Sequence, residues 1–261
     1  AIATKKGAAF GIGLEVKVTV ELKEGGSSVT AIDVSEPGLV ETCVKEVLSL
    51  FDYEYSATIR VESEIPIARG LKSSSAVANA AVLATFGALA KRHGKIRMQR
   101  IDKEISRQQL FVGDDEVKDE TVLDLSVRCA KKAGVTITGA LDDTAACFFG
   151  GFVVTDNGEN KIMRKGEVED LSVIVFVPEE KSHTKDFNVD AAKTYGREID
   201  AIWNLALQGD LYTAMTLNGL SYSAALKNDV AKQAADLAMK AGALAAGLSG
   251  TGPAVIAITK G

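Results

Sequence analysis

The sequence predicts a fold of mixed helices and strands, and three observations carry that expectation. Val16, Val18, Val20 and Leu22 alternate with charged or polar residues, the period of a half-buried strand. Leu39, Val40, Cys43, Val44, Val47, Leu48 and Phe51 recur at helical spacing. Val173 to Val177 is an unbroken apolar run ended by Pro178, which suits a central strand. With 261 residues, 46% hydrophobic and 25% charged, the chain has globular composition and the length of one large domain or two modest ones.

In order, Glu24-Gly25-Gly26-Ser27 supplies a turn into Val29 to Val34, so the protein is expected to begin with a β-hairpin. A helix follows Pro37-Gly38, then a strand around Thr58 to Ile65 that Pro66 stops. Serines open an alanine-rich helix running to about Ala90, and further helices are predicted around Arg100 to Val112 and Glu120 to Ala133. Thr136 to Leu141 reads as a loop or short strand. Cys147 to Thr155 passes through Gly150-Gly151 into an apolar strand, and the turn Asp156-Asn157-Gly158 reads as a domain boundary, giving domains 1–158 and 159–261. Helices are predicted over Val189 to Ala206, Leu211 to Ala224 and Val230 to Ala241, with a final strand from Ala254 to Thr259.

Composition removes several function classes. Thirty basic against thirty-five acidic residues give a net charge of −5, so there is no global positive field for a nucleic acid. Cys43, Cys129 and Cys147 are odd in number and form no C-x-x-C pair, which argues against a disulfide framework or structural zinc and fits a reducing cytoplasm. His93 and His183 read as surface histidines. The uncharged stretches Ser73 to Ala90 and Ala241 to Thr259 are too rich in serine, alanine and glycine for convincing spanning helices, so no membrane association is expected. No export signal is read at the start of the chain.

The segment Pro66-Ile67-Ala68-Arg69-Gly70-Leu71-Lys72-Ser73-Ser74-Ser75-Ala76 is the most informative. Gly70 permits a tight turn, and the serines stand where the first N–H groups of a helix lack intrahelical partners. Lys72 adds a full positive charge, and a serine hydroxyl can serve magnesium, so phosphate plus metal is the natural cargo. A serine cap on a buried helix is the plain alternative. No G-x-x-x-x-G-K-[ST] loop, Rossmann glycine pattern or protein-kinase catalytic motif is present. A second cluster, Gly247-Leu248-Ser249-Gly250-Thr251-Gly252-Pro253, could bring backbone close to a ligand or to the first loop, or be only a turn between helix and strand. Asp142-Asp143 could supply a proton acceptor, or simply cap a helix and favour its dipole.

Together these segments resemble the GHMP small-molecule kinase superfamily, with its P-x-x-x-G-L-x-S-S-A and S-G-x-G-P motifs. Within it, Gly7-Ala8-Ala9-Phe10-Gly11-Ile12, Gly70 to Ala76 and Leu141-Asp142-Asp143-Thr144-Ala145-Ala146 look most like the archaeal type of shikimate kinase. The resemblance implies an α+β fold in two lobes, the first like the second domain of a ribosomal S5 protein and the second ferredoxin-like. It implies ATP held by Pro66 to Ala76, magnesium at Ser74, a phosphate site closed by Ser249, Gly250, Thr251 and Gly252, and phosphorylation of the shikimate 3-hydroxyl in a cleft between the lobes. A catalytic aspartate is implied ahead of the Gly150-Gly151 strand. Counted back from Gly151, mevalonate-kinase-like spacing selects Asp143 and homoserine-kinase-like spacing selects Asp142; Asp143 is preferred as the base. Lys6 is a candidate to stabilise the acceptor or the base, or a solvated lysine.

The chain also departs from the family. Val127 to Lys132 has no carboxylate where many members place a magnesium-binding glutamate, which leaves Asp124, a water, or Ser74 with the nucleotide. Arg69, Arg107, Arg128 and Arg197 are candidate partners for the shikimate carboxylate. A homoserine kinase, another GHMP small-molecule kinase and a non-catalytic nucleotide-binding relative are the alternatives, and a homodimer would be unsurprising on base rates.

Overall fold

The computed structural model describes residues 1–66, 69–100, 106–178 and 189–260. In chain order the elements are β1 (Lys6–Phe10), β2 (Val16–Ala31), α1 (Gly38–Leu48), β3 (Tyr55–Ser63), α2 (Ser73–His93), β4 (Gly94–Arg100), β5 (Ser106–Val112), β6 (Asp115–Glu116), α3 (Asp119–Lys132) and α4 (Leu141–Phe149). These are followed by β7 (Phe152–Asp156), β8 (Lys161–Gly166), β9 (Ser172–Phe176), α5 (Val189–Thr194), α6 (Gly196–Gln208), α7 (Leu211–Ala225), α8 (Asp229–Lys240), β10 (Ala245–Leu248) and β11 (Val255–Thr259). They pack as two compact units. One comprises Ala1–Leu14, Ile65–Ser73 and Gly134–Gly261, the other Glu15–Glu64 and Ser74–Ala133. The expected boundary at 158 falls instead inside the β7–β8 hairpin, whose strands pair from Phe152 and Gly166 to Asp156 and Lys161.

In the unit of Glu15–Glu64 and Ser74–Ala133, the expected opening hairpin is replaced by one long strand that pairs with β3. Val16–Glu24 lies against Ser63–Tyr55, and register shifts through Gly25 bring Val29–Ala31 alongside Ala57–Ile59, so both halves use β3 as partner. The core is drawn from α1 (Val40, Val44, Val47), β3 (Ile59), α2 (Val82, Phe86, Leu89) and α3 (Val122), all essentially inaccessible to solvent. By length and composition α2 could cross a membrane, but half of its most apolar window is buried within the protein. His93 is less of a surface residue than expected: its ring stacks on Tyr53 at 3.8 Å and its Nε2 lies 2.6 Å from the Tyr55 hydroxyl. His183 lies outside the described residues.

The helix expected over Arg100 to Val112 is absent. β4 and β5 pair there as an antiparallel ribbon from Gly94 and Val112 to Arg100 and Ser106. Every described residue of β4 is exposed, so no buried face sets the pattern. What holds the ribbon is its ladder and Phe111, whose ring receives Lys95 at 5.1 Å and Arg97 at 5.2 Å.

The other unit carries two three-stranded antiparallel sheets, ordered β1-β7-β8 and β10-β11-β9. Its core joins Phe152 and Val154 of β7 to Ile199, Ile202 and Ala206 of α6, Tyr222 of α7, Ala231 and Ala235 of α8, and Ala246, Leu248, Val255 and Ala257 of the second sheet. The single helix expected over Val189 to Ala206 is two, α5 and α6, separated at Tyr195. β1 and β10 were not anticipated, because both are built from small residues. Part of the second glycine cluster is explained by packing. A Cβ on Gly219 would stand 2.4 Å from the Cα of Gly247, so these glycines let α7 approach β10 closely.

Candidate active site

The site is assembled within the unit that holds Ile65–Ser73 and Gly134–Gly261. Two loops meet there. The Ser249 hydroxyl donates to the Gly70 carbonyl at 2.8 Å, and the Ala254 N–H donates to the Arg69 carbonyl at 3.0 Å. Gly70 has φ of +83°, and a Cβ there would fall 2.6 Å from the Gly252 oxygen, so both conformation and space require glycine. The second loop is closed by its own bonds, Ser249 N–H to the Ala254 carbonyl at 2.9 Å and Gly252 N–H to the Ser249 carbonyl at 2.8 Å. Neither bond uses the N–H groups of Gly250 or Thr251. A Cβ on Gly250 would meet Lys72 Nζ at 2.7 Å, so the lysine crosses directly over that glycine.

Lys72 reaches from this loop to the first turn of α4, where its Nζ lies 3.0 Å from Asp143 Oδ2. Asp143 is buried, whereas about a third of the Lys72 side chain (32%) remains exposed. Burial pushes the Asp143 carboxyl up to about 6, against the opposing pull of the Lys72 ammonium, and the neighbouring Asp142 adds to the rise. Burial pulls Lys72 down, but Asp143 and Asp142 outweigh it and its pKa is raised, so the ammonium stays charged.

Asp142 is held differently. Its Oδ1 accepts from Asn157 Nδ2 at 2.8 Å, and Asn157 Oδ1 accepts from the Thr155 hydroxyl at 2.6 Å, all three residues being buried. A Cβ on Gly7 would fall 2.2 Å from Asp142 Oδ2, so the glycine of β1 makes room for that carboxylate. Trp203 fixes β1 against β7 by donating its indole N–H to the carbonyls of Gly7 (3.2 Å) and Thr155 (3.1 Å). Asn157 and Thr155 are functional neighbours that sequence reading missed; the Asp156-Asn157-Gly158 turn was read only as punctuation. The alternative in which an aspartate caps the helix is not what forms. α4 starts at Ala140 in the left-handed region, with no side-chain cap.

The remaining candidates scatter. Lys6 pairs with Asp200 at 3.1 Å and lies 4.9 Å over the Trp203 ring, so its charge is neutralised by α6 and not by Asp142 or Asp143. Ile67 and Ala68 lie outside the described residues; Pro66 is exposed and Leu71 half-buried. Ser73 opens α2, while Ser74, Ser75 and Ala76 continue its first turn and are counted with the other unit. Among the arginines, Arg69 donates to the Pro178 carbonyl, Arg107 forms a fork with Asp119, and Arg128 pairs with Glu46; Arg197 is exposed on α6. The described residues contain no cluster of three or more His, Cys, Asp or Glu side chains able to hold a metal.

The GHMP kinases N terminal domain pattern matches residues 39–115, and the GHMP kinases C terminal pattern matches residues 192–261. The chain belongs to the GHMP kinases. Among GHMP kinases and other curated proteins, the shikimate kinase of Methanothrix thermoacetophila is 40% identical over 258 residues, 99% of this chain and 80% of that protein. The shikimate kinase of Methanosarcina mazei is 40% identical over 264 residues, 100% of this chain and 81% of that protein. A solved homoserine kinase from Cytophaga hutchinsonii superposes with a TM-score of 0.67 at 18% identity, covering 100% of this chain and 81% of that one. L. major mevalonate kinase, solved with R-mevalonate, superposes with a TM-score of 0.64 at 15% identity over 100% and 83%. At such identities the solved structures speak for the fold alone: an α+β GHMP kinase architecture.

Proposed function

We propose that this GHMP kinase transfers the γ-phosphoryl group of ATP to the 3-hydroxyl of shikimate, giving shikimate 3-phosphate and ADP. The observation that carries the reading is about 40% identity with shikimate kinases over essentially the whole chain. The homoserine alternative rests on a structure that is only 18% identical. A non-catalytic relative is disfavoured by the buried, charge-paired Asp143.

Several features of the two loops suit a triphosphate. Lys72 supplies a persistent positive charge, Gly250 and Thr251 hold N–H groups outside the turn's own bonds, and Gly70, Gly250 and Gly252 all have positive φ, which opens backbone to an anion. We assign ATP to Pro66–Ala76 together with Ser249–Gly252. Magnesium keeps several waters and is commonly held by one or two protein oxygens plus phosphates, and the absence of a carboxylate cluster among the described residues fits that mode, with Ser74 as the protein oxygen. When bound, magnesium ATP supplies the electrophilic phosphorus and neutralises charge on its oxygens.

The chain's own residues then position and deprotonate the acceptor. Asp143 is assigned as the base: ionised above about pH 6, it takes the proton of the acceptor hydroxyl as that oxygen attacks. Lys72 offsets negative charge beside it. Asp142, locked by Asn157, orients the acceptor. Lys6 keeps a supporting place through Asp200 and Trp203. We place the enzyme in a reducing cytoplasm, which its three free cysteines suit. The test is ADP release with shikimate, homoserine and mevalonate in turn, with the product identified by mass. Turnover with shikimate supports the reading; turnover with homoserine alone overturns the substrate.

A further inference from the structure

Residue spacing argues against a disulfide framework, yet the fold brings two of the three cysteines together. Cys43 of α1 and Cys129 of α3 are both wholly inaccessible to solvent, and the two helices pack against one another. Ion pairs span the same seam. Glu46, one turn on from Cys43, takes Arg128 at 3.4 Å and Lys132 at 2.5 Å, and these cations flank Cys129 by one residue and by one turn. Beneath them the Cys43 thiol hydrogen-bonds to the Cys129 sulfur. Cys147 stands apart, exposed and on α4 in the other unit.

The two thiols are unequal. The hydrogen bond to Cys129, with burial, holds Cys43 well above the ordinary thiol range. The same bond, accepted by Cys129, lowers that thiol, and Arg128 and Lys132 pull in the same direction. One sulfur is thus disposed to release its proton while the other waits beside it, the arrangement of an attacking and a resolving thiol. Phosphoryl transfer uses neither residue, and small apolar side chains would fill the same space without the reactivity.

We propose that Cys43 and Cys129 form an oxidation site: a hydroperoxide converts them to an intramolecular disulfide that ties α1 to α3, and a thiol reductant reverses it. The Cys129 thiolate attacks the O–O bond, giving a sulfenic acid and hydroxide, which takes up the proton that Cys129 released and leaves as water. The Cys43 sulfur then attacks the Cys129 sulfur, and its own proton departs with the hydroxyl as a second water. Two thiols and one peroxide give one disulfide and two waters. Because both sulfurs are enclosed, the reaction waits on transient opening of the α1–α3 seam, so it is slow in the intact protein and quickens as this unit loosens. The bond closes a loop on the order of 90 residues, from α1 through β3 and α2 to α3, and a cross-link over so long a loop restricts the unfolded chain strongly. In a reducing compartment the pair stays as thiols, and the staple forms when peroxide rises.

The test treats the full chain with hydrogen peroxide, unfolds it in iodoacetamide and maps its peptides by mass. The expected product is a linked Cys43–Cys129 peptide, lighter than its reduced parts by the two thiol hydrogens and alkylated at neither residue, with both thiols restored by dithiothreitol. The thermal midpoint of the oxidised protein should stand at least about 5 °C above that of the reduced protein, and dithiothreitol should erase the difference. Cys147→Ser should keep both results, whereas Cys43→Ala and Cys129→Ala should each lose both. Should either alanine variant fail to fold, the wild-type peptide map and midpoint decide alone. Alkylation of Cys43 and Cys129 in the oxidised sample overturns the proposal, as does a link through Cys147 or between two chains. A Cys43–Cys129 link that leaves the midpoint unchanged overturns the brace between α1 and α3.

Discussion

Asp142 and Asp143 are adjacent on the first turn of α4 yet are held by unlike partners: a neutral amide, Asn157, on the first, and an ammonium, Lys72, on the second. A base must be able to lose and gain a proton near neutrality, whereas an orienting carboxylate should be fixed in place. The two environments separate those duties.

Asp143→Asn should lower kcat for shikimate phosphorylation by about 10² to 10⁴, the usual contribution of a general base. ATP affinity measured by calorimetry should stay within about twofold, because the substitution keeps the side chain's shape and Asp143 is assigned to the acceptor, not to the nucleotide. Wild-type turnover in this variant would move the role to Asp142.

With Asp143 titrating at about 6, kcat/KM should fall below that pH by close to tenfold per unit. The Lys72 ammonium holds the carboxyl down, so Lys72→Met should move the acid limb of the profile to higher pH as well as weaken ATP use. Stability should run the other way. A carboxyl raised above its ordinary 3.8 favours the folded state while protonated, and that contribution is lost as the pH rises through about 6. The stability of wild type relative to Asp143→Asn, followed by denaturant unfolding, should therefore decline between pH 4 and 7.

Asn157→Ala removes the donor to buried Asp142 and leaves the Thr155 hydroxyl only the longer, 3.5 Å contact with the Gly7 carbonyl. A loss of about 1 to 3 kcal/mol in unfolding free energy is expected. The KM for shikimate should rise more than the KM for ATP, because Asp142 is assigned to the acceptor; equal rises would contradict that assignment.

Gly70→Ala should raise the KM for ATP at least tenfold, since a Cβ at φ of +83° would also strike the Gly252 oxygen and part the two loops. Gly13→Ala is the control: a Cβ there meets nothing within 4 Å, and ATP kinetics should not change.

Much of the fold was legible where burial imposes a period. The helices α1, α3, α7 and α8 and the strands β7 and β11 follow their apolar spacing. Elements without a buried face escaped. β4 is exposed throughout, although the alternation of Ile96 and Met98 with Lys95, Arg97 and Gln99 was a usable strand signal. β1 and β10 escaped for the opposite reason: their alanines and glycines pack backbone against backbone, and small residues leave little periodic trace. Among the described residues β9 stands at the edge of its sheet, and its apolar run signals that a strand is covered without saying what covers it.

Of the site, the Gly70–Lys72 loop and the aspartate pair could be read from residue type and order. Their partnership could not, since Lys72–Asp143 and Asn157–Asp142 are long-range pairings that only the folded chain creates. Lys6 looked catalytic by its place in a motif, and its engagement with Asp200 on a distant helix carried no local sign.

The discontinuity of the unit that carries the site bears on how it is made. β1 leaves the ribosome well before its pairing strand β7; the Gly7–Thr155 contact alone spans 148 residues. At about 5 to 20 residues per second, β1 stays without its mate for roughly 7 to 30 seconds of synthesis. Meanwhile the Glu15–Glu64 and Ser74–Ala133 segments emerge in full and can begin to pack. The unit that carries the site is thus interrupted by the other one, and its Lys72–Asp143 pair can form only after the whole of the Glu15–Glu64 and Ser74–Ala133 unit has been made.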